Sequence, residues 1–197
     1  NNSVPADKNT YLYDGWIGRY LDRRYPGYPD VSPVHPMALQ IGTTTALMLQ
    51  GPSFPMGMAI NDPVSFYNII AGTDTSGSEK PDLSTPAGLE LDFIQRIASE
   101  AMSYAKPVRE AFNSTANQVT YPAGTVANQL KIIARLIAGG LETPIYVIAL
   151  RGFDTHTNQK PAQERLLKDL SEGVSHFFVD LKAHGVAVRV ALMTVSE

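Results

Sequence analysis

Ile145-Tyr146-Val147-Ile148-Ala149-Leu150-Arg151-Gly152-Phe153-Asp154-Thr155-His156 decides how this chain is read. Six apolar residues follow one another without alternation, and the chain then breaks at a glycine into a polar loop. A strand with one wet face alternates. An unbroken apolar run suits a strand covered on both faces, which is the habit of parallel sheets. Beyond the loop, Pro161 stands in the expected first turn of a helix. Leu166, Leu170, Val174, Phe177 and Leu181 recur at helical spacing. Gly185 stops this helix, with His184 in its last turn. Residues 186–193 form a second apolar run. Strand, helix and strand at this spacing predict a βαβ unit with parallel strands.

In an open parallel sheet, ligands bind outside the carboxyl ends of the strands. The βαβ reading therefore sets Arg151 to His156 opposite Ser196-Glu197, which follows the second run. Asp and His one residue apart can reach one cation. Asp offers a hard oxygen and His a borderline nitrogen, the mix that suits zinc, manganese or iron. The same loop also reads as plain structure, with Asp154 making an Asx-type turn and His156 bonding a neighbouring carbonyl. The other histidines read structurally: His35 on the surface between prolines, His176 partly buried on the last helix, His184 at its end.

Working back from this unit, residues 125–138 predict a helix with Leu130, Ile133, Ala134 and Ile137 facing in, ended by Gly139-Gly140. Residues 89–104 predict another, with Leu91, Ile94, Ala98, Ala101 and Met102 on one stripe, kinking at Pro107 before it runs on toward Phe112. Residues 72–86 hold little but Gly, Ser, Thr, Asp, Lys and Pro, and read as a long loop. Residues 11–24 predict a short amphipathic helix carrying Trp16, Ile17, Tyr20 and Leu21, ended by Pro26-Gly27. Between them, short apolar segments at 38–41, 46–49 and 56–60 read as a small β-element, a meander or hairpin. The fold class is α/β, and 197 residues make one domain.

The bulk composition narrows function mainly by exclusion. A net charge of −3 and the lack of a Lys/Arg-rich run argue against nucleic-acid binding. No apolar run approaches the roughly 20 residues that span a bilayer. The chain has no cysteine, which removes thiolate metal sites and cysteine nucleophiles. There is no Gly-rich phosphate loop and no serine in a nucleophile-elbow pattern. Asn1 opens a polar stretch without a signal-peptide pattern.

A set of segments resembles the bacterial family of unknown function DUF-1501. They are Gly15-Trp16-Ile17-Gly18-Arg19-Tyr20-Leu21-Asp22, Tyr121-Pro122, the helix around Gln129 to Ile137, Gly152-Phe153-Asp154-Thr155-His156-Thr157-Asn158-Gln159 and the closing Thr194-Val195-Ser196-Glu197. The resemblance runs over nearly the whole chain. It implies an alkaline-phosphatase-like fold, a three-layer α/β/α sandwich around a mostly parallel sheet. It also implies an exported, periplasmic or extracellular bacterial protein. By that likeness the activity is hydrolysis of small anionic esters by a metal-dependent phosphatase- or sulfatase-type enzyme holding one or two divalent ions. Asp154 and His156 would be metal ligands. Arg151, Thr155 and Glu197 would orient ligands or substrate. Family members are about twice as long, so the resemblance makes this chain a single incomplete domain, the central piece of a larger one and inactive alone. The alternative is a non-catalytic binding or assembly protein of the cell envelope on the same fold.

Overall fold

The computed structural model describes residues 13–72 and 80–195. Five helices and three strands are formed among them: α1 (Trp16–Arg24), β1 (Ala38–Ile41), β2 (Met58–Ile60), α2 (Pro63–Ala71), α3 (Pro86–Ser114), α4 (Thr125–Ala138), β3 (Ile145–Val147) and α5 (Gln159–Ala183). Short 3-10 turns lie at Leu47–Leu49 and Ala187–Arg189. The strands form one parallel sheet in the order β2-β1-β3. The fold is therefore mixed α/β. The strand expected over 145–150 is shorter, Ile145–Val147, and half-buried where the unalternated run predicts cover on both faces.

Two expectations are corrected. The first is the small N-terminal meander or hairpin. Its segments at 38–41 and 58–60 are instead parallel strands of the main sheet, and β1 is the central one. Parallel neighbours need a long crossover, and the intervening residues with their 3-10 turn supply it. The second is the βαβ unit. Residues 186–193 hold the Ala187–Arg189 turn and no strand, and Val188 and Met193 are exposed. Among the described residues β3 pairs only with β1. An apolar run shows that a segment can be a strand but not that a neighbour is there to pair with it.

Alternation along β1 sends its side chains to two different cores. Leu39 and Ile41 join the larger one, with Val108 and Ala111 of α3, six aliphatic residues of α4, and Phe177 and Leu181 of α5. Ala38 joins a smaller one with Ile17 and Leu21 of α1 and Met37, Leu49 and Met56. The α4 periodicity is read correctly: Leu130, Ile133, Ala134 and Ile137 are all buried, and Val126 and Leu136 join them. Burying each of the larger of these side chains is worth about 1.5–3 kcal/mol. The stripe expected on α3 is not. Ile94 is exposed and Leu91, Ala98, Ala101 and Met102 are only half-buried, and burial shifts to Tyr104, Ala105, Val108 and Ala111 in its second half. That helix runs unbroken through Pro107 for 29 residues.

The helix starts follow local chemistry. Asp62 accepts from the Ser65 amide at 2.7 Å and Thr85 from the Gly88 amide at 3.0 Å, each with proline next in line. The start of α4 is different. Gly124 has no side chain to cap with, and Asp169 of α5 reaches across to accept from the Thr125 and Val126 amides at 3.0 and 3.3 Å. A Cβ on Gly124 would lie 2.1 Å from Asp169 Oδ1. Close by, Gly173 of α5 lets the Val126 side chain approach. The two helices are thereby keyed together.

A second buried polar contact ties α5 to the segment between α3 and α4. Asp180 is fully buried. It accepts from the Gln118 amide at 2.7 Å, from Asn117 Nδ2 at 2.7 Å and from the Tyr121 hydroxyl at 3.0 Å. His184 Nε2 stands 3.5 Å from the same carboxylate. Burial, then the Asp180 charge, pushes the Tyr121 phenol well above its usual range.

Candidate functional site

The carboxyl end of β3 leads into an exposed loop. Gly152 takes φ +105°, a conformation L side chains rarely adopt. The Thr155 amide donates to the Phe153 carbonyl at 2.9 Å, a tight turn centred on Asp154. Asn158 in the left-handed region then hands the chain to α5. This turn brings Asp154 Oδ1 and His156 Nε2 within 3.1 Å of each other. Both side chains are more than four-fifths exposed. Among the described residues neither side chain bonds to backbone, so the alternative of an Asx-type turn or a capped carbonyl is not what holds them. An exposed ion pair of this kind adds little stability. As a chemical object, the pair is two donors side by side, open to solvent, at the edge where parallel sheets bind ligands.

The remaining expected site residues separate. Arg151 is exposed beside the pair. Thr155 Oγ1 is buried and hydrogen-bonded to neither Asp154 nor His156. Glu197 and Ser196 lie outside the described residues. The expectation that they face the loop depended on pairing of residues 186–193 with β3, which is not made. No group of three or more His, Cys, Asp or Glu side chains is placed to hold a metal ion among the described residues. Asp154 and His156 are two donors, one short of the three protein ligands that a catalytic zinc takes.

The other histidines are accounted for by the fold. His35 is partly buried rather than on the surface, its Nδ1 accepting from the Glu142 amide at 2.9 Å. His176 bonds the Glu172 carbonyl one turn back, at 2.8 Å. His184 caps the end of α5.

Sequence reasoning missed a second loop at the same edge of the sheet. Because β1 is the central strand, the loop that follows it, Gly42-Thr43-Thr44-Thr45, belongs to the same edge. The order β2-β1-β3 means that the chain leaves β1 to one side and returns on the other. The crevice of an open parallel sheet forms where that reversal occurs, here between β1 and β3. The three threonines are exposed. Gln129 of α4 donates to the Ile41 carbonyl at 3.1 Å, and its Oε1 is buried without a partner. Reading β1 as a central parallel strand would have found this loop, but four residues offer no period to show it.

No helix among the described residues is long and apolar enough to cross a membrane. No family model, curated protein or solved structure matches the chain.

Proposed function

We propose that this chain belongs to a metal-dependent hydrolase of small anionic esters, of the phosphatase or sulfatase type, with Asp154 and His156 as ligands of a divalent ion such as zinc or manganese. One observation carries the reading: the two donor atoms sit 3.1 Å apart, exposed, on the loop at the carboxyl end of a parallel strand. A bound metal would polarise the ester oxygens and lower the pKa of a bound water. The protein's own part would be to fix the two donors through the Thr155–Phe153 turn and to leave the outer face open to substrate. In this reading the missing donors come from outside the described residues, as the likeness to DUF-1501 and its alkaline-phosphatase-like fold implies. Export from a bacterial cell belongs to the same proposal.

Zinc titration by calorimetry tests it. The expected result is saturable uptake of one ion, lost in Asp154→Ala and in His156→Ala while the circular dichroism spectrum stays unchanged. Equal zinc uptake by both variants, or none by the parent chain, sinks the reading.

The alternative, a non-catalytic binding or assembly protein, has one observation in its favour. An open, apolar groove of about 710 Å³ runs between α5 and the final segment, lined by Leu167, Leu170, Val174 and Leu192 among others. That reading expects no zinc in the same titration.

A further inference from the structure

A cavity of about 70 Å³ lies at the amino ends of β1 and β2, the end of the sheet opposite the Asp154 loop. Its walls include Met37, Met56 and Met58 where the strands begin, Glu100 and Tyr104 of α3, and Tyr28. One water takes about 10–15 Å³ of such space, so there is room for roughly five water-sized groups. The polar groups of the lining are unevenly satisfied. The Tyr28 hydroxyl donates to Glu100 Oε2. Glu100 Oε1 and the Tyr104 hydroxyl are buried without a hydrogen-bond partner among the described residues. Tyr104 as a whole is only 4% exposed. Ser32 is near enough to influence both groups, but its hydroxyl donates to the Pro29 carbonyl at 3.1 Å. Among the described residues Glu100 has no cationic partner. Burial, then the Glu100 charge, pushes the Tyr104 phenol up to about 12, so it stays a neutral hydroxyl. Burial also raises the Glu100 carboxyl above its ordinary value, a penalty that a cation beside Oε1 would relieve.

We propose that this cavity binds a short alkylammonium ion, its nitrogen donating to Glu100 Oε1 and to the Tyr104 hydroxyl and its carbon chain lying against the three methionines. The lining sets the class of ligand. An ionised carboxylate oxygen only accepts, so Oε1 calls for a donor. A positively charged donor makes the stronger bond to it and offsets the buried charge, which a neutral alcohol cannot do. The tyrosine rings add to the attraction for a cation. Thioether side chains are flexible and polarizable, and they fit themselves to a short apolar chain. The site stands at the other end of the sheet from Asp154 and His156 and does not depend on the hydrolase reading.

Methyl shifts of methionine-labelled protein, followed during titration with n-propylammonium chloride in buffer above neutral pH, test this. The methyls of Met37, Met56 and Met58 should shift together and saturate, while that of Met193 stays in place. Potassium chloride at equal concentration should leave all of them unmoved. n-Propanol, the neutral ligand of the same size, should bind roughly tenfold more weakly or worse. Glu100→Gln should lower the affinity for propylammonium roughly tenfold or more, the loss of a bond between two charged groups, and Tyr104→Phe roughly threefold or more. The comparison of propylammonium with propanol uses the parent chain, so it decides the matter even if a variant does not fold. Absence of a saturating shift at the three methionines, which makes the cavity a place for water only, overturns the proposal. Equal binding of propanol, equal shifts with potassium chloride, or unchanged affinity in a folded Glu100→Gln overturns it as well.

Discussion

Asp180→Ala should cost about 3–5 kcal/mol of folding stability. The carboxylate is fully buried and receives three hydrogen bonds, from Gln118 N, Asn117 Nδ2 and Tyr121 Oη. Removing it strands two of those donors. Asn117 Nδ2 keeps the Lys131 carbonyl at 2.9 Å, but among the described residues the Gln118 amide and the Tyr121 hydroxyl have no other partner. Each orphaned buried donor costs about 1–3 kcal/mol, and truncating one partner of a buried charged network falls in the 3–5 kcal/mol range. Against a typical domain stability of about 5–15 kcal/mol this is a large share. Urea unfolding should show the midpoint falling by about 1–2 M with the slope unchanged. Hydrogen exchange should show the Gln118 amide losing its protection well before the amides of α4. A loss below about 1 kcal/mol at constant slope would refute the reasoning. So would a large loss with Gln118 still protected, because the energy would then lie in cavity formation and not in the network.

Further tests concern the helix pair and the N-terminal half. Asp169→Ala should cost about 1–2 kcal/mol by uncapping α4 from a distance. Gly124→Ala should cost at least as much, because its new methyl would meet Asp169 Oδ1; thermal melts of both variants check this. Glu100 of α3 takes the Tyr28 hydroxyl, and burial holds its pKa above the usual carboxylate value. A carboxyl with a raised folded pKa binds more protons folded than unfolded. Stability should therefore fall as pH rises from its unfolded pKa, near 4.3, through its folded one. Glu100→Gln should flatten that slope in urea midpoints measured between pH 4 and pH 7, and an unchanged slope would assign it elsewhere.

The elements that could be read ahead of the structure are those with enough residues to show a period. The α4 stripe and the end of α5 at Gly185 stand where spacing put them. The four residues of β1 and three of β2 carry no period, so their place at the centre of the parallel sheet could not be read. For α3, Leu91, Ile94 and Ala98 have a helical rhythm, yet the packing partners lie along Val108 and Ala111 instead. Periodicity says that a face exists but not which length of it is covered. The loop at Asp154 was found because a long apolar run pointed at it. The threonine loop was not, since its importance comes from the order of the strands, which is a property of the whole chain.

The pairing that builds the crevice has a kinetic side. Leu39 and its partner Met58 in β2 are 19 residues apart, whereas Ala38 and its partner Ile145 in β3 are 107 apart. By loop-closure entropy the longer connection costs about 1.5 kcal/mol more to close. Local pieces such as the α4–α5 pair can form while that loop is still open. The β1–β3 seam would then zip late in folding and open early in native-state fluctuations. The loops that leave β1 and β3 would gain their places only once the seam had closed, so the carboxyl edge of the sheet would be among the last parts of the molecule to be made.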